Sequence, residues 1–347
     1  MDTNKKRNEE STSSETELKT TEKPEKPKKK RAGLTVLIVL LAIVLVSVIT
    51  SVVWSHLNTV NAGQDLGVGD TWTVDGQWAL TVLSVTETDY IDEFAGFTPA
   101  AVYVVEYAYT NLGYSDTSGM MKGLSVSFGS QSTDAEGAEG VTCMSDTDIM
   151  PDEAPIGSSC RATVTVSLQH AGPFTLSVQL SDGENRLQTA SFRLDPDAEP
   201  AVFEVPTSSF DAGNVLGIGD TWTVDGQWTL TITGCEVSDY RDSYDKHPVD
   251  AAYIVSYSYT NLGYEDPYGM GDSLCVFITD TVVDKSGMMG FDYPGEYDGF
   301  AQDIPTGESC EAQCCVGLEH DGPFYLIVSI PDSSNELLTQ AFLIDPQ

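Results

Sequence analysis

The seven cysteines of this chain are the residues whose chemistry depends most on where they lie. In an oxidising compartment neighbouring thiols form disulfides, whereas a reducing cytosol keeps them free. Cys143 and Cys160 bracket a long connection, and we predict that they pair and constrain it. The other five cysteines are an odd number, so at least one stays free or bonds to another chain. Among them, Cys310 could join Cys275 or one of two adjacent cysteines.

Other residue types give weaker signals for chemistry. His170 and His320 occupy the matching stretches QHAGPF and EHDGPF, and we interpret both as polar residues beside a Gly-Pro turn. The spacing of Cys310 and its neighbours lacks the paired cysteines and histidines of zinc sites. The chain also has no nucleophile elbow, HExxH, phosphate loop or dinucleotide fingerprint. We therefore predict no catalytic residues, no cofactor site and no metal site, and we expect a protein that is not an enzyme.

Carboxylates gather in several loops. Calcium takes six to eight oxygen ligands and is often bound by such loops, but none of them follows the EF-hand spacing. Nothing selects a pair of acids for glycoside hydrolysis. We interpret the loops as solvated surface, with calcium binding as an alternative that the spacing does not support. The acidic clusters are Asp89, Asp92 and Glu93; Asp146, Asp148, Asp152 and Glu153; Asp239, Asp242 and Asp245; and Glu265, Asp266 and Asp272.

The elements that must position these residues occur twice. LGVGDTWTVDGQW, residues 66–78, returns as LGIGDTWTVDGQW, residues 216–228, with one substitution. The match continues without a gap at the same offset, and about 40% of positions are identical, which is the signature of an internal repeat. We predict two copies of one domain, repeat 1 at residues 62–196 and repeat 2 at residues 211–347. An extended linker, residues 197–210, joins them.

A tyrosine stripe runs along the central strand predicted in each copy. Residues 101–111 alternate between two faces, and such a period of two is typical of a half-buried strand. We predict that the rings fill the core and keep their hydroxyls at its rim. The alternative is an outward aromatic face that binds sugar or peptide. The tyrosines concerned are Tyr103, Tyr107 and Tyr109 in repeat 1 and Tyr253, Tyr257 and Tyr259 in repeat 2.

Further strand-like runs follow one another in each copy. Turn signals such as Asp75-Gly76 and Gly172-Pro173 separate them. No segment of either copy has a convincing helical period. Seven or so short strands in about 130 residues favour an all-β, antiparallel sandwich. The runs in repeat 1 are Thr71–Asp75, Gln77–Thr86, Leu124–Phe128, Ala162–Leu168, Phe174–Leu180 and Leu187–Leu194.

A polar tail and an apolar run precede the repeats. Residues 1–32 lack Val, Ile, Phe, Tyr and Trp, which predicts a disordered tail. Residues 33–54 contain an uncharged run that, as a helix, is long enough to span about 30 Å of hydrocarbon. The basic residues 28–31 then place the tail in the cytoplasm and both repeats outside the cell. The alternative is a cleaved signal peptide, with VNA before Gly63 as the cleavage site.

The net charge of −36 lies almost wholly in the repeats. Residues 1–31 hold ten of the 17 basic residues and seven of the 53 acidic ones, which leaves seven basic and 46 acidic residues beyond them. Such a surface repels nucleic acid and anionic lipid, because phosphate binding needs Lys or Arg. It attracts cations and basic partners instead. We therefore predict no nucleic-acid partner.

Three short motifs occur in both copies. In repeat 1 they are Gly69-Asp70 before an apolar strand, residues 111–113 (NLG) after the central strand, and residues 155–157 (PIG) before a late strand. Through these motifs, each copy resembles the immunoglobulin-like extracellular domains of Gram-positive bacterial lipoproteins and membrane-anchored proteins. Those domains are grouped with the superfamily of the mycobacterial immunoprotective extracellular antigen. The resemblance implies an immunoglobulin-like sandwich at the cell envelope and carries over no catalytic residues. The chain departs from the lipoprotein members because no cysteine follows its apolar run.

These features together predict a single-pass cell-membrane protein with two tandem immunoglobulin-like sandwiches outside the cell. We expect a non-catalytic module that binds an unidentified protein or glycan ligand. The alternative is a structural or sensory component of the envelope, with a partner for the cytoplasmic tail.

Overall fold

The computed structural model describes residues 65–346, except residues 94, 117–122, 130–131, 144, 146–147, 207–209, 242–245 and 270. The predicted tail (1–32), transmembrane helix (33–54) and cleavage site near Gly63 lie outside the described residues. So do three of the clustered acids, Asp146, Asp242 and Asp245. No helix among the described residues is long and apolar enough to cross a membrane.

Strands rich in β-branched and aromatic residues make up all the regular structure of the described residues. Repeat 1 contains β1 Asp65–Leu66, β2 Thr71–Val74, β3 Trp78–Thr88, β4 Ala101–Asn111, β5 Ser132–Asp134, β6 Glu139–Cys143, β7 Ser159–Leu168, β8 Phe174–Ser181 and β9 Leu187–Leu194. Repeat 2 contains β10 Val215–Leu216, β11 Thr221–Val224, β12 Trp228–Val237, β13 Ala251–Asn261, β14 Val282–Asp284, β15 Met289–Asp292, β16 Ser309–Leu318, β17 Phe324–Pro331 and β18 Leu337–Ile344.

The strands of each repeat hydrogen-bond in one continuous order that folds into two layers. In repeat 1 the order is β1-β9-β8-β5-β6-β7-β4-β3-β2, and β10 to β18 repeat it. The hairpin β5–β6 passes between the layers, because β5 pairs with β8 and β6 pairs with β7. The strand pairs are antiparallel except β1 with β9 and β10 with β18. The described chain is therefore all-β and forms two sandwich-like domains.

The tyrosine stripes lie inside these sandwiches. The Tyr107 ring stands edge-on to Phe128 with centroids 4.8 Å apart, and Phe128 meets Phe192 of the opposite layer at 5.9 Å. All six predicted tyrosines are at most 3% exposed. The outward aromatic face, the alternative drawn from the sequence, is therefore wrong for these positions. Removing such a ring from water contributes about 2 kcal/mol, which explains why the stripe faces inward.

The buried tyrosine hydroxyls remain hydrogen-bonded, which offsets the cost of taking a polar group out of water. Tyr107 donates to the Val126 carbonyl at 2.8 Å, and Tyr109 donates to the Asp152 carbonyl. Their counterparts in repeat 2 make the same two bonds. Burial raises the pKa of both Tyr107 and Tyr109 well above the ordinary value, so these hydroxyls act as neutral donors.

One predicted strand differs in the structure. Leu124–Phe128 forms a single bridge, from Leu124 to Ala154, instead of a ladder. Its alternation is genuine, since Leu124, Val126 and Phe128 are all buried. The segment covers the core without pairing along its length, and alternation alone does not distinguish those two cases. The hairpin β5–β6 was not predicted, because in repeat 1 its two short strands are mostly polar.

A buried asparagine closes the central strand of each repeat. Asn111 is fully buried; its Oδ1 accepts the N–H groups of Gly113 at 3.0 Å and Tyr114 at 2.7 Å. Its Nδ2 donates to the Ala154 carbonyl at 2.9 Å. A Cβ on Gly113 would lie 2.6 Å from the Gly76 carbonyl oxygen, so the turn needs glycine there. These contacts explain the repeated motif NLG in structural terms.

Replacing Asn111 with Asp should destabilise repeat 1. Aspartate cannot donate the hydrogen bonds that Nδ2 makes, and it places a carboxylate oxygen against the carbonyl oxygen of Ala154. We expect the free energy of unfolding to fall by about 2 kcal/mol in urea titrations of a fragment spanning residues 62–347. The exposed Asn214→Asp should change it by less than about 0.5 kcal/mol. Equal effects of the two substitutions would contradict the assignment.

Candidate functional site

One tight turn of repeat 2, between β14 and β15, reaches repeat 1. Asp284 organises this turn, because its Oδ1 accepts the N–H groups of Ser286 at 2.8 Å and Met288 at 2.9 Å. Gly287 has a φ of 97°, which favours glycine because no Cβ obstructs it. The turn holds the Gly287 carbonyl where repeat 1 can bind it.

The turn docks on the first residues of β7. The Ser159 N–H donates to the Gly287 carbonyl at 2.8 Å, and Ser159 forms a parallel bridge with Met288. Ser159 is 0% exposed, and Met289, 8% exposed, packs into the core of repeat 1. The two repeats belong to one compact unit. We call this contact the joint: the turn of repeat 2 from Asp284 to Met289 and Glu319 of the same repeat, together with the start of β7, where Arg161 pairs with Glu319.

Arg161 lies between one carboxylate from each repeat. Its Nη1 donates to Glu106 Oε1 at 2.6 Å, while its Nη2 and Nε donate to Glu319 Oε1 and Oε2 at 2.5 and 3.2 Å. The side chains of Arg161 and Glu319 are each 16% exposed. Burial alone would lower the pKa of Arg161, but Glu319 and Glu106 together raise it. A planar guanidinium fits this two-pronged pairing, and lysine would not.

A small cavity of about 60 Å³ lies beside the ion pair, with room for about two water molecules. Cys160, Met289, Glu319 and His247 are among the residues that line it. The His247 ring stacks on Phe291 with centroids 3.8 Å apart. Burial raises the pKa of the Cys160 thiol to about 11, so the thiol is protonated at neutral pH. A protonated thiol is a poor nucleophile, and this cavity suits packing better than reaction.

Each repeat also pairs a buried aspartate with a histidine. The histidines are His170 and His320, which the sequence predicted only as polar residues beside a Gly-Pro turn. Asp134 Oδ2 lies 2.8 Å from His170 Nδ1, and Asp284 Oδ2 lies 2.7 Å from His320 Nδ1. The hydrogen bond to Asp134 raises the pKa of His170. Ser286 Oγ approaches the same Nδ1 of His320, at 2.9 Å, whereas a proton relay needs serine and aspartate on opposite ring nitrogens. The pairs therefore brace turns.

The predicted disulfide between Cys143 and Cys160 is wrong. The structure joins none of the seven cysteines in a disulfide. Cys143 lies opposite Thr165 of β7, five residues along that strand from Cys160. Five is an odd separation, so the side chains face opposite sides of the sheet and lie about 17 Å apart along it. A disulfide requires Cβ atoms about 4 Å apart.

The other two candidate cysteines lie near one another. Cys275 and Cys310 both interact with the side chain of Tyr259 at the rim of the repeat 2 core. Burial, followed by its contact with Cys310, raises the pKa of Tyr259. Repeat 1 has Ser125 where repeat 2 has Cys275, so a bridge here would be specific to repeat 2. A disulfide between Cys275 and Cys310 stays a prediction.

Two of the described loop acids, Asp92 and Asp148, accept hydrogen bonds from hydroxyl and amide donors. Asp148 accepts the Thr165 hydroxyl at 2.8 Å and the Ser145 N–H at 2.7 Å, and Ser167 donates to Asp92 at 3.1 Å. Within the described residues, no group of three or more His, Cys, Asp or Glu side chains could hold a metal ion. Calcium binding by these loops stays an unsupported alternative.

Neither Arg161 nor Glu319 stood out in the sequence. Comparing the copies for shared residues hides them, because Arg161 aligns with Glu311 and Glu319 aligns with Gln169. An ion pair that joins repeat 1 to repeat 2 needs to occur only once in the chain, so its residues are not shared by the two copies. The useful signal was this exchange of charge between otherwise similar strands.

No family model matches the sequence, and no curated protein is significantly similar to it. The resemblance to immunoglobulin-like envelope domains therefore stays a prediction based on the three repeated motifs.

Arg161→Gln should weaken the joint. The change leaves the Glu106 and Glu319 carboxylates close together without their cation, so we expect the free energy of unfolding to fall by about 2 kcal/mol in urea titrations. Arg193→Gln is the control, since Arg193 is exposed, and it should have little effect. In a double-mutant cycle with Glu319→Gln, the coupling energy should exceed about 1 kcal/mol. Additive effects of the two substitutions would show that the repeats are not coupled through this pair.

Proposed function

We propose that the chain is a single-pass protein of a bacterial cell membrane whose two immunoglobulin-like repeats lie outside the cell as a non-catalytic binding module. The observation that carries the proposal is the joint. A backbone hydrogen bond, a buried methionine and a two-pronged ion pair fix repeat 2 on repeat 1. Such a unit would hold repeat 2 at a set position relative to repeat 1, which suits the presentation of a binding surface.

The strand order supports the immunoglobulin-like part of the proposal. Constant-type immunoglobulin domains have strands A, B, E and D in one sheet and C, F and G in the other. If β3, β4, β7 and β6 are taken as A, B, E and D, they occur in that order in one layer. The strands β5, β8 and β9 then correspond to C, F and G in the other layer. β2 and β1 are additions at the two edges.

Charge and hydropathy support the membrane location. The uncharged run within residues 33–54 is as long as a membrane-spanning helix requires, and the basic residues 28–31 precede it. The strongly acidic repeats would repel anionic lipid, which suits domains that lie outside the bilayer.

A binding role without catalysis agrees with the chemistry of the described side chains. Burial raises the pKa values of Cys143 and Cys160 to about 11, which keeps both thiols protonated. Ser286 and Asp284 share one nitrogen of His320 instead of forming a relay. The conspicuous polar groups therefore have structural partners that account for them.

A second candidate is a purely structural spacer of the envelope, and the contacts of the joint favour it as well. The two candidates differ in whether the function of the chain requires repeat 2 to bind a ligand. A spacer would work with any folded second domain, whereas a binding module depends on particular exposed residues of repeat 2.

Protease treatment of intact cells tests the location. With an epitope tag at each end of the chain, we expect the C-terminal tag to be lost and the N-terminal tag to survive on a short protected fragment. Lysed cells provide the control, in which both tags should be digested. A protected C-terminal tag, or a mature chain that begins near Gly63, would contradict the proposal.

A further inference from the structure

The face of repeat 1 that the joint covers has an uncovered counterpart on repeat 2. The hydroxyl groups of Thr110 and Ser159 are joined by one hydrogen bond of 2.7 Å, and both residues are buried. Thr260 and Ser309 make the equivalent bond at 2.8 Å, but Ser309 is exposed. The strands are paired in the same register in the two repeats. The same local structure is thus covered in repeat 1 and bare in repeat 2.

We call the bare counterpart the terminal face: Thr260, Glu308, Ser309 and Glu311. In repeat 1, the matching N–H of Ser159 points away from β4 and binds the Gly287 carbonyl. The shared register directs the Ser309 N–H away from β13 in the same way. A peptide carbonyl brought to Ser309 would therefore find a donor already aimed at it, as in strand addition to a sheet edge.

The charge of the terminal face is the reverse of that in the joint. Glu311 stands where repeat 1 has Arg161, and Ser256 stands where repeat 1 has Glu106. No cationic side chain of the described residues pairs with Glu311. Glu311 and Asp298 line a cleft of about 500 Å³. Since the occupant in repeat 1 brings an acid to an arginine, the occupant here must bring a cation to a glutamate.

Apolar surface beside the face points in the same direction. Phe300, 66% exposed, occupies the position of Met150, which lines the cavity at the joint. The Tyr297 ring lies 5.4 Å from the Phe300 ring, measured between centroids. Exposed aromatic residues are enriched at protein interfaces, where a partner covers them.

A second copy of this chain is a poor occupant. The turn of repeat 1 that matches the docking turn carries Glu139 where repeat 2 has the buried Met289. Gln169 stands where the acid of the joint, Glu319, is found. Copies joined end to end would bring Glu139 towards Glu308 and Glu311, and like charges at an interface oppose binding.

We propose that the terminal face of repeat 2 binds a β-turn of a different protein, through a main-chain bond to Ser309 and a lysine or arginine paired with Glu311. This deepens the binding role proposed above and rests on it. The acidic repeats would also speed the encounter with a basic partner, because opposite charges steer association.

A modified copy of the chain can serve as the probe. Glu139→Met with Gln169→Lys gives the turn of repeat 1 the apolar contact found in the joint and a cation in place of its acid. Wild-type full-length chain, in detergent, is immobilised, and binding of the modified full-length chain is measured by biolayer interferometry. Wild-type chain as the analyte, and immobilised Glu311→Arg, are the controls.

We expect the modified chain to bind at least about tenfold more tightly than the wild-type analyte, and Glu311→Arg to remove that gain. Added salt should weaken the binding. Gln169→Lys alone should give a smaller gain in the same direction, and circular dichroism checks that each variant is folded. Absence of saturable binding, or binding indifferent to Glu311→Arg, would overturn the proposal. Equal binding of the wild-type analyte would make a second copy the occupant. Any of these failures leaves the protease test of location unaffected.

Discussion

The arrangement of the described chain depends on one guanidinium held between carboxylates of two different domains. Glu106 anchors the guanidinium of Arg161 within repeat 1. The remaining N–H donors of that guanidinium then face Glu319 of repeat 2. Holding three long side chains together costs conformational entropy. The neighbouring backbone bond between Ser159 and Gly287 offsets part of that cost, because it fixes the position of both strands. Ionic and main-chain contacts thus support one another at the joint.

Duplication explains both what the repeats share and where they differ. Shared residues, such as Asn111 and Asn261, serve the interior of each sandwich, and each copy needs them. Residues at the ends of the sandwiches have different neighbours in the two copies, so they diverge. Arg161 and Glu311 occupy one structural position, yet the first is half-buried in a domain contact and the second is exposed. The differences between the copies therefore locate the surfaces that contact something other than the repeat itself.

Much of the fold was predictable because it is encoded by local patterns. The alternation along β4 predicted a strand with its tyrosines inside, and the six rings are buried. The segment Leu124–Phe128 alternates equally well but lacks a partner strand, and pairing depends on residues far away in the sequence. The disulfide prediction for Cys143 failed for the same reason, since strand register decides which thiols meet. Arg161 could not be assigned, because its partner belongs to the other copy.

Repeat 2 covers the start of β7 in repeat 1, and none of the residues that the structure describes covers the same place on repeat 2. Amide hydrogen exchange tests this claim directly, since Ser159 and Ser309 occupy matching positions in matching strands. We expect the Ser159 amide, which is hydrogen-bonded to Gly287, to exchange at least about 100-fold more slowly than the Ser309 amide. Equal exchange of the two amides would contradict it and would mean that the repeats move independently.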